Sequence, residues 1–244
     1  MKRLLRTLIL CFVRLVGWPG TLRTARGRTG TPRILLVRPD HLGDLILTTP
    51  VLQALHEQVP GAEITLLVGP WSREIVARHP ALKHVLTCPF PGFQRAPQSA
   101  LAPYLLLFKL AREIRAGHYD LAINLRPDFW WGAALLYLAG IPRRAGYALA
   151  PGQGFLSRAL PFPAGEHATV SNLRLVSAGL QELGYAALEE PFTPERYPTC
   201  FVPTAEERAW DTARLENEGI AADAPLIIIP PGSGGAVKLW RSEA

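Results

Sequence analysis

Arg33-Ile-Leu-Leu-Val-Arg-Pro-Asp-His-Leu-Gly-Asp-Leu-Ile-Leu-Thr-Thr-Pro50 is the stretch whose reading sets the fold. Ile34–Val37 is a short unbroken apolar run, as in a strand buried on both faces of a parallel sheet. Pro39-Asp40-His41-Leu42-Gly43 is a tight polar loop. A helix is predicted over Gly43–Gln58, with Asp44 in its first turn and Leu45, Leu52 and Leu55 on its apolar side. Ligands of open α/β sheets gather at the carboxyl ends of the strands. The loop therefore lies where chemistry is expected, and Asp44 is the acid it presents. Two roles stand open for Asp44: stabilising the helix start, worth about 0.3–1 kcal/mol, or acid–base work in a cleft. Asp40 and His41 share the loop, and spacing alone forces neither into a site.

Downstream the strand–helix alternation repeats. Strands are predicted at Glu63–Val68, His84–Thr87, Asp120–Leu125 and Arg144–Tyr147, and helices at Ser72–Arg78, Tyr104–Ala116, Trp130–Ala139 and His167–Leu183. Gly117 reads as a helix C-cap, Pro89–Pro103 as a loop, and residues 148–166 as loop-rich. Such alternation predicts an α/β fold with a parallel sheet covered on both faces. Residues 33–184 thus form one Rossmann-like domain. Residues 185–203, with Pro191, Pro194, Pro198 and Pro203, read as an inter-domain linker. Residues 204–244 then open a second α/β unit: a helix at Ala205–Gly219, a buried strand at Pro225–Ile229, and a glycine-rich loop. The chain is expected to be a fragment that stops after this first strand and loop.

Residues 1–32 are a basic amphipathic segment. Eight basic residues and no acid lie within residues 1–33, which leaves 18 basic and 20 acidic residues in the rest. The positive charge therefore belongs to this segment and not to the fold, which argues against a nucleic-acid-binding domain. Within residues 3–16, Leu5, Leu8, Ile9, Phe12 and Val16 share one helical face. The run is shorter than the roughly 20 residues of a membrane span. A basic helix lying on an anionic membrane surface is expected, with a helix packed on the body as the alternative. No small-x-small cleavage pattern follows to support a secretory signal. Cys11, Cys88 and Cys200 are far apart and unpaired in any CxxC, so a reducing compartment and no structural zinc are expected.

Chemistry is suggested at a second loop, where the apolar run Pro225–Ile229 feeds Gly232-Ser233-Gly234-Gly235. Backbone N–H groups there could approach an anion closely, and Lys238 is placed to neutralise a phosphate. The loop is neither GxxxxGK[ST] nor GxGxxG, so a plain glycine-rich turn is equally compatible with it. Trp130-Trp131 after Asp128 reads as helix packing before it reads as a sugar platform. Taken together, an acid at the mouth of one sheet and a phosphate loop at the mouth of a second suggest a cleft between two Rossmann-like domains.

The segment Ile34–Leu55 resembles the opening motif of glycosyltransferase family 9, the ADP-heptose:lipopolysaccharide heptosyltransferases. Pro60–Val68, Tyr119–Leu125, Gly140–Tyr147, and His167 with Asn172 and Leu173 fall in the family's order. Pro231-Gly-Ser-Gly-Gly-Ala-Val-Lys-Leu-Trp240 resembles its donor-phosphate loop. The resemblance implies a GT-B fold, an acceptor-side N-terminal domain and a nucleotide-sugar-binding C-terminal domain. It implies an inverting transfer of a heptose-like sugar from a nucleotide-diphosphate donor, ADP-heptose, to a lipopolysaccharide core or related glycolipid. It implies Asp44 as general base and Ser233, Gly234 and Lys238 at the donor phosphates. Asp40, His41, Gly43, Arg126 and Asp128 become acceptor-side candidates. No metal and no cofactor are implied. A cytoplasmic, peripheral place on the inner face of the membrane would suit residues 3–16. A truncated chain of this kind is expected to be inactive alone. The alternative with the same fold is a non-catalytic glycolipid-binding module. A dinucleotide-dependent oxidoreductase fits poorly, because the first loop lacks GxGxxG.

Overall fold

The structure, a computed structural model, describes residues 11, 13–15, 17, 30–93, 99–221 and 223–229. The chain divides into two compact units, Met1–Val202 and Pro203–Ala244.

In the first unit β1 (Arg33–Arg38), β2 (Glu63–Val68), β3 (His84–Thr87), β4 (Leu121–Asn124), β5 (Arg143–Tyr147) and β6 (Arg158–Leu160) form one parallel sheet. Their order is β3-β2-β1-β4-β5-β6. Alternate side chains of β1 enter opposite layers, as the period of two requires. Ile34 and Leu36 join one core and Leu35 and Val37 the other, and all four are fully buried. The first core is closed by α1 (Leu42–Ile46), α2 (Thr49–Gln58), α3 (Arg73–Val76) and α6 (Ala168–Glu182). The second is closed by α4 (Ala102–Arg115) and α5 (Trp130–Leu138). This is the doubly wound arrangement that the unbroken apolar strands predict.

Several details depart from expectation. The single helix expected over Gly43–Gln58 is two helices. Pro50 has no N–H to give the Ile46 carbonyl, so the ladder breaks. The hydroxyls of Thr48 and Thr49 donate instead to the carbonyls of Asp44 (2.9 Å) and Ile46 (2.7 Å). The freed Leu47 carbonyl is taken by Thr169 Oγ1 of α6 at 3.1 Å. The Thr-Thr-Pro run is thus a built break that anchors α1 to α6. Residues 148–166 hold a 3-10 turn, Gly152–Phe155, and the short edge strand β6, too brief for a periodic signal. Gly117 is not the left-handed cap: that backbone conformation falls on His118, with φ +50°.

Residues 185–202 are not a free linker. They lie on the first unit, where Leu188 is buried and Phe192 and Tyr197 pack against the core of α2 and α6. Cys200 donates its N–H to Thr49 Oγ1 at 2.8 Å. The membrane-facing expectation for residues 3–16 falls mostly outside the described residues. Of those described, Val13 is fully buried in the second core, and the Arg14 carbonyl accepts a 2.8 Å hydrogen bond from Tyr137 Oη. That end of the segment packs on the body.

The second unit, taken by itself, shows α7 (Ala205–Asn217), opened by a reciprocal cap between Thr204 and Glu207. The strand expected at Pro225–Ile229 is not formed. Those residues are irregular, with Ile227 88% exposed. A strand needs a neighbouring ladder, and the described residues of this unit contain no other strand.

Candidate functional site

The strand order places the topological switch between β1 and β4, where successive connections leave in opposite directions. Val37 lies beside Asn124 across this seam. The loop after β1 carries Asp40 and His41 and the first turn of α1 carries Gly43 and Asp44, while the loop after β4 carries Arg126 and Asp128. The topology therefore brings all six acceptor-side and catalytic candidates of the first unit to one edge of the sheet. Ser233, Gly234 and Lys238 lie outside the described residues.

Charges alternate across the seam. Asp44 faces Arg38, Arg38 faces Asp40, Asp40 faces Arg126, and Arg126 faces Asp128. Arg38 Nη2 stands 3.6 Å from Asp44 Oδ1, and Arg38 Nε stands 2.8 Å from Asp40 Oδ2. Arg126 Nη1 donates to Asp40 Oδ1, and its Nε donates to Asp128 Oδ1 at 2.7 Å. Arg38 Nη1 also reaches the Leu125 carbonyl at 2.9 Å and Asn172 Oδ1 at 3.4 Å. Asn172 in turn approaches Thr48 Oγ1 at 3.4 Å. Arg38 was not singled out from the sequence, and Asn172 entered only through its resemblance to a family motif, with no role at the site. A cation closing an apolar strand, two residues before an acid, is the signal that could have marked Arg38.

Burial sorts the two acids of the first loop. Asp40 is 3% exposed and held by two arginines, while the Asp44 side chain is 49% exposed. Asp40 is therefore a structural counter-ion and is not open to an acceptor. Asp44 is the open acid. Its backbone carbonyl is fixed by Thr48, and its carboxylate accepts no hydrogen bond among the described residues. Burial lowers the pKa of Arg38, and Asp40 and Asp44 work against that shift. For Arg126 burial also pulls downward, but the hydrogen bond to Asp128 and the charge of Asp40 prevail and its pKa is raised.

His41 is exposed and stacks on Trp71, with centroids 5.7 Å apart. Trp71 Nε1 and Ser72 Oγ both donate to the Asp40 carbonyl, at 3.0 and 3.1 Å, which fixes the loop from beneath. Gly43 is on the surface, and an added Cβ there would meet nothing within 4 Å, so the backbone is open to approach. Phe93 lies under the Arg126 guanidinium, 5.1 Å from it. Beside it a cavity of about 460 Å³ is lined by Phe93, Tyr104, Arg126, Asp128 and Trp130, among others. Among the described residues no His, Cys, Asp and Glu side chains converge as metal ligands would.

An open parallel sheet in this order, with an acid at its switch point, is a Rossmann-like domain of the kind that binds ligands at the carboxyl ends of its strands. The sequence profile of glycosyltransferase family 9 (heptosyltransferase) matches residues 107–244, and the chain belongs to that family. It is 24% identical over 204 residues to lipopolysaccharide heptosyltransferase 3 of Escherichia coli (strain K12), covering 82% of this chain and 54% of that protein. Over 116 residues it is 28% identical to lipooligosaccharide heptosyltransferase 2 of Haemophilus ducreyi, covering 47% of this chain and 30% of that protein. The fold matches a family 9 glycosyl transferase from Veillonella parvula, with TM-score 0.66, 22% identity, and coverage of 90% of this chain and 59% of that one. It also matches E. coli ADP-heptose lps heptosyltransferase II, with TM-score 0.62, 19% identity, and coverage of 86% and 57%. The chain spans about half the length of the first of these curated relatives.

Proposed function

We propose that residues 33–202 form the acceptor-side half of an inverting glycosyltransferase. The enzyme transfers a heptose from ADP-heptose to a saccharide of the lipopolysaccharide core. Family membership supports the reaction class, and a solved relative described as bound to ADP-2-deoxy-2-fluoro heptose supports the donor class. The single observation that carries the reading is the sorting of the acids: Asp40 is buried and twice paired, and Asp44 is fixed yet open.

Asp44 removes the proton of an acceptor hydroxyl as that oxygen attacks the anomeric carbon. The bond from that carbon to the diphosphate breaks on the opposite face, so the configuration inverts. Arg38 holds the base in place from the inner side. Ser233, Gly234 and Lys238 receive the donor phosphates, and Lys238 offsets the charge that builds on the leaving group.

The test is a transfer assay with ADP-heptose and a lipopolysaccharide core acceptor, on protein expressed from the complete reading frame. Asp44→Asn keeps the shape and loses the base. Turnover should fall by about 10²–10⁴-fold, the usual worth of a general base, with donor affinity nearly unchanged. Near-normal turnover in that variant overturns the assignment.

A further inference from the structure

Arg126 carries an arrangement that proton transfer at Asp44 does not use. Its inner edge is clamped by Asp40, whose side chain is 4% exposed. Its outer edge is filled by Asp128, whose side chain is 66% exposed. Nε donates to Asp128 Oδ1 at 2.7 Å and Nη2 to Oδ2 at 3.3 Å, so both carboxylate oxygens sit in the fork. The planar fork of a guanidinium matches a carboxylate or a phosphate in two-point contact. The two partners differ in how firmly they hold. The buried contact cannot be given up without stranding a charge, whereas water can take over both groups when the exposed contact opens.

We infer that Asp128 is a placeholder, and that Arg126 takes an anionic substituent of the acceptor saccharide in its stead. The adjoining cavity of about 460 Å³ fits the rest of such a ligand. Phe93, Tyr104 and Trp130 line it, and the Arg126 guanidinium carbon stands over the Phe93 ring, 5.1 Å from its centroid. Apolar ring walls with one oriented cation suit a sugar ring bearing a carboxylate or a phosphate. Asp40 is then the positioning residue: it keeps Arg126 aimed outward when Asp128 swings into solvent. Discrimination follows from the same geometry. An anionic sugar regains the paired state of Arg126, and a neutral sugar must leave Asp128 where it is.

The inference rests on the acceptor-side reading of this cleft, but its test needs no transfer. Each can therefore fail while the other stands. The 244-residue chain is titrated calorimetrically with glucuronate, glucose 6-phosphate and glucose, as wild type, Asp128→Asn and Arg126→Lys. Asp128→Asn should bind at least one of the two anionic sugars about fivefold more tightly than wild type, the scale of an exposed pair removed. Which of them gains names the substituent. Glucose should show no gain. Arg126→Lys keeps a charge for Asp40 and so preserves the fold, but it loses the fork and should lose the gain when combined with Asp128→Asn. Equal binding of both anionic sugars by wild type and Asp128→Asn overturns the inference. A gain that survives Arg126→Lys also overturns it.

Discussion

Among the described residues of the first unit two arginines are almost wholly buried, and they are kept in opposite ways. Arg38 ends β1 at the cleft and Arg144 lies in β5, with 5% and 6% exposure. Burial lowers the pKa of both. Arg38 is surrounded by charge, with Asp40 at 2.8 Å and Asp44 at 3.6 Å. Arg144 meets no carboxylate among the described residues. Its Nε donates to the Phe155 carbonyl at 2.7 Å, its Nη1 donates to the carbonyls of Ile141 and Pro142, and its Cζ lies 5.4 Å from the centroid of the Tyr137 ring. A cation used only to staple β5 to the 3-10 turn is satisfied by dipoles. At the switch point the chain instead retains alternating full charges, which are costly to bury and hold their neighbours in fixed positions.

The comparison predicts unequal costs of removal. Arg38→Met leaves Asp40 buried with Arg126 as its one remaining cation. The expected loss is about 3–5 kcal/mol of unfolding free energy. Asp40→Asn added to it should return part of that loss, with a coupling of roughly 1–3 kcal/mol in a denaturant-melting cycle. Strict additivity of the two changes would show that the charges at the mouth do not act as a set. Arg144→Met strands carbonyls and no charge, so about 1–3 kcal/mol is expected. If the Arg144 variant melts as early as the Arg38 variant, the contrast between charge and dipole partners is lost.

The same contrast marks what could be read from the chain. β1 and β2 were legible because Ile34–Val37 is apolar without interruption and Ile64–Val68 is interrupted only by Thr65. Asp44 was legible as a residue in a motif, but nothing local ranks it physically against Asp40. Both are acids of one short loop. What separates them is Arg126, 86 positions further on in the case of Asp40, and only the parallel pairing of β1 with β4 brings that side chain across. The contact of Asn172 with Arg38, 134 positions apart, was hidden for the same reason. Local chemistry misled in two places. Pro225–Ile229 has the composition of a buried strand, yet it finds no ladder among the described residues. Residues 185–202 have the prolines of a linker, yet Leu188, Phe192 and Tyr197 use their apolar surface on the first unit.

His79 extends the comparison to a buried base that can give up its proton. It is 4% exposed, its Nδ1 accepts from the Ala81 N–H at 3.3 Å, and its Nε2 meets no hydrogen-bond partner among the described residues. Burial, and then the charge of His56, lower its pKa below the ordinary histidine value. Arg144, which stays charged, gathers carbonyls, whereas His79 stays neutral. Well above the unfolded value of about 6.5 both folded and unfolded chains hold this ring neutral, and its contribution to stability is complete. As pH falls through the interval between the unfolded and the folded value, the unfolded chain binds the proton first, so stability falls. One proton can contribute a slope of no more than about 1.4 kcal/mol per pH unit, which makes this the smallest of the expected effects. Unfolding free energies measured from pH 7.5 down to 5 should decline less steeply in His79→Asn than in wild type. Parallel curves would show that the ring takes its proton inside the folded chain as easily as outside it, and that burial without a counter-charge does not decide its state.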